Sequence, residues 1–190
     1  VTPESDEPQV GPALVGQPEL TAAVATAEAA LTAGRPVRLL ISGPPGVGAR
    51  RAARYLTTVA GAEPLLDVRA EQWNTRESAA ADVAAIAELG AGGAVVVTGV
   101  EQALSGGGGP YGLERLEQVL ESVEPRLVVA TIAAGSLESA VLAAPNLFRR
   151  FSLVPTHEFT ADQIAEVFAQ LAHERNVRLD PDAVPVARDM

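Results

Sequence analysis

The chain contains no lysine and no cysteine. Without cysteine there is no disulfide framework and no thiolate for a zinc site, and its two histidines, His157 and His173, lack a spacing that encloses a metal. No metal site is expected. Apolar runs stop well short of the ~18 residues that span a bilayer. The opening VTPESDEPQVGP is acidic where a signal peptide is basic. The expectation is a cytoplasmic protein with no membrane partner. All fourteen basic residues are arginines, scattered without a run and outnumbered by 24 acidic ones, for a net charge of −10. With aromatics at only 4%, the footprint of a nucleic-acid binder is missing, and no such partner is expected.

What remains is ordinary globular material: 190 residues, 47% hydrophobic and 20% charged, enough for one good core. Residues 1–13 read as an acidic tail or linker. An alanine-rich helix is expected from Glu19 to Ala33, stopped by Gly34. Strand-like and helix-like segments then alternate: PVRLLIS, ARRAARYLTTVAG, PLLDV, SAAADVAAIAELG, GAVVVTGV, LERLEQVLESV, RLVVATIA, LESAVLAA and FSLVP. SGGGGPYG, between GAVVVTGV and LERLEQVLESV, reads as a flexible loop. This order predicts an α/β domain of three layers, with about five parallel strands and helices on both faces.

The alternation ends near residue 156. Thr160 is a candidate N-cap for a helix presenting Ile164, Val167, Phe168 and Leu171 on one side. Residues 157–190 are therefore expected to begin a second, helical unit that is only partly present, following a core at 14–156.

GPPGVGAR, residues 43–50, lies between a strand and a helix, where a phosphate-binding loop belongs. Such a loop cradles phosphate with backbone N–H groups at a helix N-terminus, adds a lysine charge and holds Mg²⁺ through a Ser or Thr hydroxyl. Gly43, Gly46, Val47 and Gly48 can form the cradle. The lysine position holds Ala49 and the hydroxyl position Arg50. The second station of such a site is a strand ending in Asp and Glu; in AVVVTGV those places hold Thr98 and Gly99, with Glu101 two residues further on and expected to be a solvated loop carboxylate.

LVGQPEL, RLLISGPPGVGAR, GGAVVVTGVEQALSGGGG, GLERLEQVLESVEPRLVVATIAAG and NLFRRF, in that order over residues 14 to 181, resemble the AAA+ ATPases. Among these the sequence is most similar to the group of red-type Rubisco activase, the sporulation protein SpoVK and the type VII (ESX) secretion ATPases. Glu121 and RLVV at 126–129 match that group as well. The resemblance implies a P-loop NTPase core followed by a helical lid, with Walker A and Walker B motifs that have degenerated. It implies adenine packing at Val15, Gly16 and Gln17, a polar sensor at Thr131, and an arginine finger for a neighbouring subunit at Arg150, beside Arg149. Trp73 falls where the family carries a pore-loop aromatic, and packing in a core or an interface is the alternative for it.

The four absences at 49, 50, 98 and 99 predict a module that does not hydrolyse ATP, binds ATP or ADP weakly without Mg²⁺-dependent turnover or not at all, and serves assembly or partner binding in a chaperone-like oligomer. Its expected partners are other AAA+ subunits, identical or active, with a protein client as a further possibility. The alternative is a weak ATPase that uses Arg50 and Glu101 as substitutes.

Overall fold

The structure, a computed structural model, describes residues 14–62, 64–105 and 109–178. The expected tail at 1–13 and the final segment from 179 lie outside the described residues.

Five strands form one parallel sheet: β1 (Val37–Ser42), β2 (Leu65–Arg69), β3 (Ala94–Thr98), β4 (Leu127–Ile132) and β5 (Ser152–Pro155), in the order β2-β3-β4-β1-β5. Strands in such a sheet are covered on both faces, which is why they read as unbroken apolar runs. Alternate residues go to opposite sides. Leu40, Val95, Val97, Val128 and Ala130 face one core, under α3 (Arg76–Leu89), α5 (Gly109–Ser122) and the short α7 (Pro145–Phe148). Leu39, Ile41, Val96 and Val129 face the other, under α1 (Pro18–Thr32) and α2 (Ala49–Ala60). α1 contributes Leu20, Val24, Ala27 and Leu31, one stripe at helical spacing.

Three local differences from the sequence expectation have physical causes. The glycine-rich segment before α5 is not loop throughout: the helix starts at Gly109, with Pro110 in its first turn, and residues 106–108 lie outside the described residues. Gly112 within this helix is required by packing, because a Cβ there would lie 2.5 Å from the Trp73 ring. Between β4 and β5 the chain forms α6 (Leu137–Ala143) and then a separate turn, α7, because Pro145 can begin a helix but not continue one. A further four-residue helix, α4 (Gln102–Ser105), follows β3 directly.

Beyond β5, α8 (Ala161–Glu174) begins with a full capping box: the Gln163 N–H donates to Thr160 Oγ1 at 3.3 Å, and the Thr160 N–H donates to Gln163 Oε1 at 2.8 Å. No residue of α8 is buried, and Phe168 on its expected apolar face is 44% exposed. The connection is anchored at Gln17. Its side chain is buried, donates to the His157 carbonyl at 2.7 Å and accepts from the His157 N–H at 3.1 Å.

Candidate functional site

The C-terminal ends of β1, β3 and β4 open onto one cleft of about 610 Å³. Its floor is the glycine-rich turn between β1 and α2. Gly46 and Gly48 have φ of +86° and +97°, so the chain bends in a way that residues with a Cβ rarely adopt. A Cβ at Gly46 would meet nothing within 4 Å, which leaves the concavity open. Gly43 has a different role: its N–H donates to the Ile132 carbonyl at 3.0 Å, and a Cβ would collide with Thr156 at 2.0 Å. Gly43 therefore welds the turn to β4 and to the end of β5.

Pro44 and Pro45 carry no N–H and cannot join a cradle. From Gly46 through Arg51 the backbone N–H groups have no acceptor among the described residues; the first helical bond is Ala52 N–H to Gly48 C=O. These donors point from a bend and from the positive end of α2, an arrangement that attracts anions. Val47 is buried and fastens the turn from beneath.

The remaining wall comes from β3 and β4. Thr98 lines the cleft but donates its hydroxyl to the Val68 carbonyl at 3.3 Å. Gly99, with φ +69°, ends the strand, and its N–H donates to Thr131 Oγ1 at 3.0 Å. Thr131 is thus in the cleft with its hydroxyl proton still available to a ligand. Glu101 is not a solvated loop carboxylate as the sequence suggested. It lines the cleft, and its Oε2 accepts the Ala133 N–H at 3.1 Å, so that it ties the turn after β3 to the end of β4.

Three arginines reach the cleft, and each is met by a carboxylate of the chain. Arg50 Nε lies 3.2 Å from Asp67, Arg69 lies 3.8 Å from Glu71, and both terminal nitrogens of Arg51 donate to the Glu174 carboxylate at the end of α8. Arg51 holds the Glu174 carboxyl below its ordinary range chiefly by this hydrogen bonding. Arg50, drawn towards β2, does not replace the missing lysine as a fixed point charge beside the turn.

Mg²⁺ does not fit this donor set. Where the resemblance implies a metal-holding hydroxyl and an aspartate stand Arg50 and Thr98, the latter already committed to Val68. Among the described residues no group of three or more His, Asp and Glu side chains is placed to hold a metal ion. The phosphate end of a nucleotide does fit the open N–H groups. Val15 and Gly16 lie outside the lining of the cleft: Gly16 packs against the Gln163 side chain, and Leu14 sits over Gly48. Gln17, expected beside the base, is occupied with His157.

The other singled-out residues are elsewhere. Trp73 is fully buried in the core with residues of α3 and α5 and donates Nε1–H to Asp82 at 2.8 Å, so it is the packing residue given as the alternative and not an exposed pore-loop aromatic. Arg149 is exposed, and its side chain has no partner among the described residues. Arg150 is half-buried and paired with Glu121 of α5, on a second groove that also takes in Arg38 and Glu124 at the start of β1 and the end of α5. Arg38 is 11% exposed and donates to the Leu120 carbonyl at 3.0 Å; burial lowers its pKa, Glu124 opposes the shift, and Arg150 adds to it. Sequence reasoning missed Arg51, Arg69 and Glu174; the local signal for Arg51 is its place at the start of α2 and for Glu174 its place at the end of α8, each the unfavourable end for its charge, and Arg69 closes β2 with no such signal.

No family model matches the chain, and no curated protein does. Solved structures match its fold. RuvB of Thermotoga maritima, described as a Holliday junction branch migration motor, superposes with a TM-score of 0.65 at 18% identity over 90% of this chain. The AAA domain of FIGL-1 in complex with ADP gives 0.66 at 16% identity over 90%. The ORC2 protein of Aeropyrum pernix in its ADP form gives 0.62 at 12% over 88%. This chain spans 55% of the RuvB and ORC2 chains and 63% of the FIGL-1 domain. The fold is the AAA+ P-loop NTPase core.

Proposed function

We propose that this chain is a catalytically inactive AAA+ module: a phosphate-accepting cleft kept on a core that works through assembly with other subunits. The observation that carries this reading is the contrast inside one cleft. Its backbone donors from Gly46 to Arg51 have no acceptor among the described residues, while Ala49, Arg50, Thr98 and Gly99 stand where the resemblance implies the hydrolytic groups. Loss of one group that stabilises transition-state charge commonly costs about 10²-fold or more in rate, and four are absent. A bound nucleotide would be held weakly by N–H groups, without turnover. With a net charge of −10 and no lysine, a nucleic-acid partner is not part of this reading. No helix among the described residues is long and apolar enough to cross a membrane.

The assembly surface proposed is that around Arg149. Arg150 is engaged with Glu121, so the exposed Arg149 is the better candidate to reach a neighbouring AAA+ subunit. The test of the whole reading is a Mg²⁺-ATP turnover assay with ADP calorimetry beside it. Expected are no turnover above background and ADP affinity weaker than micromolar. Turnover abolished by Glu101→Gln would overturn the inactive reading in favour of a weak ATPase built on Arg50 and Glu101, both of which line the cleft.

A further inference from the structure

Arg50 and Arg51 occupy the first turn of α2, where the helix dipole disfavours positive charge, and Glu174 is the last residue of α8, where it disfavours negative charge. Each of the two ends is served by the other: the Arg51 guanidinium donates through both terminal nitrogens to the two Glu174 oxygens. Arg51 lines the cleft and Glu174 does not. A side chain that belongs to the phosphate end of the cleft is therefore held from outside it, by a helix with no buried residue.

We propose that Arg51 is a switched cation: an anionic phosphate group seated on the free N–H groups of Gly46 to Arg51 takes the guanidinium from Glu174, so that filling the cleft and docking α8 oppose one another. The proposal rests on the reading of the cleft as phosphate-accepting. One planar guanidinium presents a single two-pronged face to an oxyanion, so a carboxylate and a phosphate compete for it directly. A phosphate carries more charge than the carboxylate and also receives the backbone donors that Glu174 does not reach. Once released, Glu174 is left at the negative end of α8, next to the exposed carbonyls of the last turn, which weakens that turn further. The pair is half-exposed, with side-chain exposures of 35% and 45%. An exposed pair contributes little and breaks readily, which suits a contact that has to be exchanged. The other two cleft arginines are held by Asp67 on β2 and by Glu71 just beyond it, so releasing them frees no helix outside the sheet.

The experiment uses the whole chain with inorganic pyrophosphate as the probe. Affinity is measured by calorimetry and the docking of α8 by amide hydrogen exchange over residues 163–174, with sodium chloride at matched ionic strength as the control. Pyrophosphate is expected to speed α8 exchange by up to about fivefold. Glu174→Gln is expected to bind pyrophosphate about twofold to fivefold more tightly, with exchange already fast and no longer responsive. The exchanged pair Arg51→Glu with Glu174→Arg is expected to regain α8 protection while losing both the binding and the response. Binding without any change in α8 exchange, or equal affinity in Glu174→Gln, overturns the switch and leaves the phosphate reading standing. No pyrophosphate binding by either protein overturns that reading and the switch with it.

Discussion

The arginines at the two ends of the sheet are handled in opposite ways. At the C-terminal end Arg50, Arg51 and Arg69 are open to solvent and each is met by one carboxylate. At the N-terminal end Arg38 and Arg126 donate to main-chain carbonyls, of Leu120 and Leu31, and carboxylates are only added to this: Glu124 lies 3.7 Å from Arg38, and Glu121 pairs with the neighbouring Arg150. The Nε groups of Arg38, Arg126 and Arg150 are buried without a hydrogen-bond partner among the described residues. A carbonyl of a packed helix cannot be exchanged for a ligand; an exposed carboxylate can. Arg38 and Arg126 at one end are fixed by main-chain anchors, whereas Arg50, Arg51 and Arg69 at the other rest on exposed carboxylates alone, although the residue type is the same.

The largest expected effect is at the fixed end. Arg38→Ala removes a charged hydrogen bond and a buried side-chain stem, and should cost about 2–3 kcal/mol in urea denaturation. A cost under about 0.5 kcal/mol would place Arg38 with the exchangeable group and dissolve the contrast.

Next is Gly99→Glu, which puts a carboxylate into the cleft at the end of β3. At φ +69° it should destabilise by about 1–2 kcal/mol. ATP turnover should remain at background, because the backbone itself has turned away from a strand geometry. Recovery of hydrolysis would mean that only a side chain had been lost.

Smaller still, Arg50→Ala and Arg69→Ala should each change stability by no more than about 1 kcal/mol while weakening pyrophosphate binding severalfold. Stability losses as large as that of Arg38→Ala would erase the difference between the two ends.

The smallest effect is on pH dependence. Hydrogen bonding to Arg51 lowers the Glu174 pKa, with Arg175 and His173 adding to it through charge. Its contribution is therefore complete above the ordinary carboxyl value of 4.5 and is lost as pH falls through the lower folded value. Amide exchange in α8 should accelerate there, and the acceleration should vanish in Glu174→Gln. Exchange that responds equally in both proteins would assign the effect to other carboxylates.

Sequence by itself determined the sheet, because parallel strands buried on two faces must be apolar without interruption and such runs are legible as VRLLIS, AVVVT and LVVATI. It also located Ala49 and Arg50 where the turn after β1 becomes α2, and Thr98 and Gly99 where β3 ends, since loop, strand and helix order places them. Only tertiary structure decided what the flanking residues do. Glu101 reaches Ala133, Gln17 grips His157 across most of the chain, Trp73 enters the core against Gly112, and Arg51 meets Glu174. Those partners are distant in sequence and leave no periodic trace, because a side-chain hydrogen bond depends on which elements the fold brings side by side and not on the spacing of residues within either one.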